Sequence, residues 1–280
     1  ELPGISDYPA GTIVELEDGE TFTINADGTY EYTSPVPFDF ERGPRTFIIA
    51  ENPPSFSLDN YREIFAAEAV DQAFINNFVV TIPATFIPIA IAAFAAYAFS
   101  WLEFPGRRWL FYIVVGLLVV PLQMSLIPLL RFYNTVGIDK GYPAIWLAHT
   151  GFGLPLAIYL LRNYIGSLPR EIIESAKIDG ANHFSTFTRL VLPLSVPALA
   201  SFAIFQFLWV WNDLLIALLF LPDERLRTLM VGVSVFQGRF LQNIPLSMVG
   251  MALASAPMLI VYIVFQRYFI RGLVAGAVKG

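Results

Sequence analysis

Five stretches of this chain, residues 78–101, 109–130, 143–161, 194–221 and 246–265, are strongly apolar. Each is about 19 residues or longer, enough for a helix rising roughly 1.5 Å per residue to cross a hydrocarbon core of about 30 Å. A chain with five such segments folds as a membrane bundle, because in lipid only helices and closed barrels satisfy all backbone polar groups. Prolines at 83, 88, 121, 128, 155, 197 and 257 fall inside them. Neighbouring helices or waters must then take up the carbonyls that proline leaves free. Two readings stay open for these prolines: packing kinks, or broken helices that line a pathway.

Composition agrees with lipid as the solvent. Hydrophobic residues make up 56% of the chain and charged residues 14%, against about 25% charged in an ordinary soluble protein. There is no cysteine, which excludes disulfides and cysteine-based metal or redox chemistry. His149 and His183 lie far apart and suggest no metal cluster. No Gly-x-x-x-x-Gly-Lys-Ser/Thr phosphate loop occurs in the chain, so the chain itself is not expected to hydrolyse ATP.

Residues 1–56 are different in kind: polar, acidic and rich in proline towards their end. Segments 12–17, 21–24 and 29–32 alternate apolar and polar residues, with Asp18-Gly19 and Asp27-Gly28 between them. That pattern predicts a small antiparallel meander. Residues 57–65 predict a short helix capped by Ser57 or Asp59. Residues 57–280 then form the membrane domain. Lys and Arg counts on the two sides of the spans are close. The tight 104–108 turn with Arg107 and Arg108, and the tail with Arg267, Arg271 and Lys279, favour one side as cytoplasmic. The 1–56 segment is then an extracytoplasmic insert.

Residues 162–193 carry the most information. Ser167-Leu-Pro-Arg predicts a helix start, with Ser167 as cap. Ile172, Ile173 and Ala176 form an apolar stripe at helical spacing. Gly180 stops that helix, and Asn182 caps a second one through Phe184, Phe187 and Leu190 before Leu192-Pro193 opens the next span. This helix–turn–helix is too polar for lipid and too apolar for a free loop, so a cytoplasmic partner is its natural cover.

Here the chain resembles a known family. Glu174-Ser-Ala-Lys-Ile-Asp-Gly-Ala181 followed by Leu192-Pro193 resembles the EAA motif of binding-protein-dependent ABC importers, with Ser175 in place of the middle alanine. Segments 121–128, 134–137, 153–155, Trp211-Asn-Asp213 and the tail 267–280 resemble the second permease subunit of maltose-type carbohydrate importers. The resemblance covers about residues 55–280 and implies an all-α membrane protein: the transmembrane bundle of a type I ABC importer with a small extracytoplasmic β-rich insert. It implies that Glu174, Ser175, Ala176, Asp179, Gly180, Ala181, Asn182 and His183 form the segment that couples to an ATPase. It also implies the partners: a second permease subunit, an ATPase dimer holding ATP and magnesium, and an extracytoplasmic sugar-binding protein, in a bacterial or archaeal plasma membrane. This chain itself would bind no cofactor, metal or nucleic acid and would not be an enzyme. Members have six spans, so a first span is expected before Glu1. The long acidic segment is similar to that in permeases for α-glucosides.

Gln206, Trp209 and Asp213 fall on one helical face, with Asn212 beside Trp209. An aromatic ring with amide and carboxylate groups suits a sugar, which has an apolar ring face and hydroxyls that need partners. Asp213 in an apolar span either faces the pathway or ties helices together. Gln123 and Met124 form part of a gate or fill the core, and His149 reads as a satisfied core histidine. Three rival readings are weaker. One is the same importer architecture for a polyamine, phosphate or amino acid. A membrane enzyme on lipid-linked sugars would need an acidic pair or a metal site. A proton-coupled carrier would leave the 162–193 loop without a role.

Overall fold

The computed structural model describes residues 9, 11–16, 19–25, 29–37, 57–66, 70–239 and 244–277, with side chains to 235 in the stretch 70–239 and from 247 to 266 in the last. The Asp27-Gly28 turn, the prolines at 44, 53 and 54, and the basic side chains of the tail lie outside the described residues. The chain divides into two units, Glu1–Ser57 and Leu58–Gly280.

The first unit is a three-stranded antiparallel sheet in the order β1 (Ile13–Glu15), β2 (Thr21–Ile24), β3 (Tyr30–Thr33). Val14 pairs with Phe22, Phe22 with Tyr32, and Ile24 with Tyr30. Cross-strand partners share a face, so the alternation places these five side chains on one side of the sheet. The Phe22 ring lies 5.6 Å from Tyr30 and 6.3 Å from Tyr32. At the sheet's edge the Glu20 carboxylate accepts hydrogen bonds from the hydroxyls of Tyr32 and Ser34. The bond from Tyr32, followed by burial and the negative charge of Glu20, raises the Tyr32 phenol above its ordinary pKa.

The second unit is helical. It opens with α1 (Asp59–Ala66), followed by α2 (Val70–Trp101), α3 (Arg107–Leu117), α4 (Leu122–Thr135) and α5 (Tyr142–Ile165). Next come α6 (Arg170–Ile178), α7 (His183–Thr186), a π-helical turn over Phe187–Val191, α8 (Leu192–Leu194) and α9 (Val196–Trp211). The unit closes with α10 (Leu215–Phe220), a 3-10 turn (Glu224–Leu226), α11 (Leu229–Arg239) and α12 (Ile244–Ala277). Helix α2 is the centre: α5 and α9 pack along it, and α9 also packs on α12. Among the described residues, three helices are long and apolar enough to cross a membrane, and up to five segments are if each of two bent pairs is one span.

The segments read as uninterrupted spans in the sequence are broken in two places. Within 109–130, α3 and α4 meet at 108°. Residues 119 and 120 turn by bonds that span three residues, Val119 N–H to the Gly116 carbonyl and Val120 N–H to that of Leu117, and Pro121 is extended. A residue before proline is pushed out of the helical region, which explains why the helix ends here. Within 194–221, α9 stops at Trp211 and a new helix starts at Leu215. A further bend of 70° separates the His183–Leu194 segment from α9, just before Pro197.

The prolines of α2 do not break it, for a specific reason. Proline at position i lacks the N–H that would bond carbonyl i−4, so Pro83 and Pro88 free the carbonyls of Val79 and Ala84. Trp146 Nε1–H of α5 donates to the Val79 carbonyl at 2.9 Å, and Gln206 Nε2–H of α9 donates to the Ala84 carbonyl at 3.1 Å. Two neighbouring helices thereby replace the two missing backbone donors. Gln206 is fully buried and fits only because Gly153 faces it: a Cβ on Gly153 would sit 2.7 Å from both terminal atoms of the Gln206 amide.

Replacing Gln206 with leucine orphans the Ala84 carbonyl, and Gly153→Ala pushes the amide away from it. Each is expected to destabilise the bundle by about 1–3 kcal/mol, read as a lower midpoint of thermal unfolding in detergent. An unchanged midpoint for Gln206→Leu would show that the freed carbonyl needs no donor.

Candidate functional site

The helix–turn–helix of 170–193 is built by local rules. Gly180 takes φ +79°, a left-handed conformation that glycine adopts without steric cost. With it come two closing bonds, Ala181 N–H to the Ala176 carbonyl at 2.9 Å and Gly180 N–H to the Lys177 carbonyl at 3.1 Å. That pair is a Schellman termination. Asn182 then caps α7, its Oδ1 accepting from the Ser185 N–H at 2.8 Å. One expected cap is corrected: Ser167 does not cap α6, whose first residue follows Pro169. Its hydroxyl instead donates to the Tyr164 carbonyl at the end of α5.

The segment has two faces. Ile173, Phe187 and Val191 are buried in one cluster with Ala92, Ala96 and Tyr97 of α2 and Leu161 and Ile165 of α5, and Ala176 is buried as well. Glu174, Ser175, Asp179, Gly180, Asn182 and His183 are exposed, and Ala181 is half-buried. Among the residues assigned to coupling, Ala176 is therefore buried rather than exposed. On the outer face Ile178 is 86% exposed and Phe184 67% exposed. Two large apolar side chains stand free on a polar surface that is itself anchored to the bundle core. His183 turns back towards the bundle, its Nδ1 lying 3.1 Å from the Tyr97 hydroxyl.

A second candidate region lies at the break between α9 and α10. A concavity of about 610 Å³ is lined by Phe205, Leu208, Trp209, Asn212, Asp213, Leu214 and Leu215. Trp209, Asn212 and Asp213 are thus brought together, as their spacing suggested. Gln206 is withdrawn from that face, because it is buried against Ala84 and Gly153. Gln123 and Met124 sit on the first turn of α4, exposed, and do not line this concavity. Asn212 Nδ2 donates to the Leu208 carbonyl at 2.9 Å and also reaches the Met258 sulfur of α12.

Asp213 stands just before α10 and holds its first turn, rather than being a passenger in a continuous helix. Its Oδ2 accepts the Ala217 N–H at 3.0 Å, and the amides of Leu215 and Ile216 also turn towards its carboxylate. Side chains such as Asn and Asp compete with helical bonding in this way, which explains the break at 212–214. His149 Nε2 lies 3.7 Å from the same Oδ2, and the Trp209 ring meets His149 edge-on at 5.8 Å. His149 was read as a satisfied core histidine; it is fully buried, but neither ring nitrogen has a hydrogen-bond partner within the described residues.

Sequence reasoning missed three side chains that hold these regions. Tyr97 was unremarked, since nothing in a sequence pairs it with His183. Asn76 of α2 is buried and donates to the carbonyls of Arg225 and Arg227 at 2.7 and 2.9 Å, while Tyr142 donates to its Oδ1. Asn77 donates to the Trp211 carbonyl at 3.3 Å, at the α9 break. Two adjacent asparagines directly before the apolar stretch 78–101 were the available signal. Among the described residues, no group of His, Cys, Asp and Glu could hold a metal ion.

A bent bundle of this kind, with a helix–turn–helix standing out between two spans, defines a membrane transport subunit. Residues 88–274 match the family model described as the binding-protein-dependent transport system inner membrane component, and the chain belongs to that family. It is 52% identical over 279 residues to the alpha-glucoside transport system permease protein AglG of Rhizobium meliloti (strain 1021), covering 98% of this chain and 73% of that protein. It is also 51% identical over 225 residues to the osmoprotective compounds uptake permease protein GgtD of Synechocystis sp. (strain ATCC 27184 / PCC 6803 / Kazusa), covering 80% of this chain and 76% of that protein. Its fold is similar to a chain in the crystal structure of a bacterial ABC transporter that imports the acidic polysaccharide alginate, with a TM-score of 0.65 at 24% identity over 81% of this chain and 84% of that one.

The carboxylate of Asp213 is expected to hold the α10 start. Asp213→Leu should speed backbone hydrogen exchange at Leu215–Ala217 by about tenfold, the range of a lost N-cap, whereas Asp213→Asn should change it far less. Equal rates in both variants would remove the capping role.

Proposed function

We propose that this chain is one of two permease subunits of an ABC importer, forming half of a pathway for an α-glucoside or related oligosaccharide delivered by an extracytoplasmic binding protein. The observation that carries the reading is the two-faced segment 170–193. Its inner side is part of the bundle core, while Ile178 and Phe184 are bare on its outer side. Exposed apolar groups on a rigid helix call for a partner groove. In a chain without a phosphate loop, that partner is an ATPase subunit, with ATP and magnesium bound on it.

In this reading closure of the ATPase dimer pulls on 170–193, and the bundle rocks between openings to either side. The break at 212–214 lies along the pathway, with Trp209 offering a flat apolar face and Asn212 and Asp213 offering polar atoms. The unsupported faces of α3 and α4 and the turn between them, where Trp109, Met124 and Val119 are 73%, 75% and 82% exposed, are surfaces for the second permease or for lipid. The 1–57 unit is extracytoplasmic and meets the binding protein, in a bacterial or archaeal plasma membrane. The α-glucoside assignment rests on the 52% relative, whose match spans nearly the whole chain, N-terminal unit included. A second substrate reading is an osmoprotective solute, favoured by the 51% relative.

Purified from solubilised membranes, the chain should bring with it an ATPase subunit and a second permease. Ile178→Asp should lower recovery of the ATPase by about tenfold, equivalent to ~1.4 kcal/mol, and leave the second permease in place. A wild-type chain that purifies with no ATPase would sink the importer reading. For the substrate, uptake of labelled maltose should be competed by other α-glucosides; competition by compatible solutes alone would favour the osmoprotectant reading. Deleting residues 12–34 should reduce uptake at limiting binding protein, and unchanged uptake would remove the docking role of the sheet.

A further inference from the structure

Helix α2 carries polar ties at both ends. Near its C-terminal end Tyr97, 5% exposed, meets Nδ1 of His183. Phe187 packs against the same end, its ring 5.3 Å from Tyr97 and 4.6 Å from Phe94. Near its N-terminal end Asn77 donates to the Trp211 carbonyl, and Asn76 holds the Arg225 and Arg227 carbonyls. Twenty residues of one helix separate Asn77 from Tyr97, about 30 Å of rise. The two prolines between them are bridged by Trp146 and Gln206, so the helix is continuous through its weakest points.

From this arrangement we propose that Tyr97 and His183 form a latch that makes α2 the rod connecting segment 170–193 to the break at 212–214. The proposal rests on the coupling reading above and adds the route within this chain. The Phe187 and Val191 contacts are apolar and tolerate sliding. The Tyr97–His183 bond is directional, so it sets where along α2 the turn at Gly180–Asn182 engages. Movement of the turn then displaces α2, and Asn77 passes the displacement to the last carbonyl of α9. Tyr97 and His183 are positioning residues: neither lines the concavity beside Trp209.

The test uses the purified complex of this chain with its ATPase and second permease, with backbone hydrogen exchange measured with and without ATP and vanadate. No transported solute is needed. In the wild type, ATP–vanadate should alter exchange both at 170–191 and at 211–217. Tyr97→Phe keeps the ring packed on Phe187 and leaves only a solvent-exposed imidazole without its partner, so the chain still folds. In that variant the change at 170–191 should persist, while the change at 211–217 should fall about fivefold, the size of one hydrogen bond's net contribution. His183→Asn, which keeps a polar atom near the Nδ1 position, should retain the response that His183→Leu loses. A full response at 211–217 in Tyr97→Phe overturns the latch and leaves the coupling reading standing. A wild-type complex with no response at 170–191 overturns both.

Discussion

In a hydrocarbon core every backbone carbonyl needs a donor from within the protein, and the centre of this bundle is arranged around that demand. Pro83 and Pro88 remove two donors from α2. The indole of Trp146 and the amide of Gln206 replace them from α5 and α9, the two helices that pack along α2. The substitution explains three features together. Gln206 can be fully buried in an apolar span, Gly153 must lack a side chain, and α2 can remain one helix of 32 residues. Helix α4 meets the same demand differently, by ending the preceding helix before Pro121 and turning through 108°.

The functional regions are then places where helical bonding is deliberately redirected. At Gly180 the chain reverses through a left-handed residue and resumes under the Asn182 cap. At Asp213 a carboxylate takes over amides that a continuous helix would have paired, and α10 begins. Both stops are held to α2, by His183 at one and by the Trp211 carbonyl at the other. A bundle with two fixed stops on one continuous helix is suited to alternate between two arrangements, as the proposed transport cycle requires.

Much of this was legible in the sequence because the signals were local. Apolar length marked the spans, alternation marked the sheet, and Gly180 and Asn182 marked the turn of 170–193. What escaped was set by partners distant in sequence. Proline spacing says that the Val79 and Ala84 carbonyls need donors but not that Trp146 and Gln206 supply them, so Gln206 read as a pathway residue. The i, i+3, i+7 argument assumed one helix through Asp213, and the carboxylate itself ends that helix. Ser167 read as a cap because Pro169 follows it, yet the Tyr164 carbonyl takes both its backbone N–H and its hydroxyl. Ala176 belongs to the motif by position and to the core by orientation, a distinction that only packing makes.

The central claim is that the outer face of 170–193 seats on an ATPase. Because the chain has no cysteine, a single Ile178→Cys substitution reports that contact without a background. In native membranes, a short bifunctional thiol-to-amine reagent should join Ile178→Cys to an ATPase subunit, with a yield that changes when ATP and vanadate are added. Leu259→Cys, on an exposed face of α12, should give no such product. A product at Ile178 that responds to nucleotide is the predicted result. No ATPase product at Ile178, with the chain present and the thiol reactive, would contradict the account.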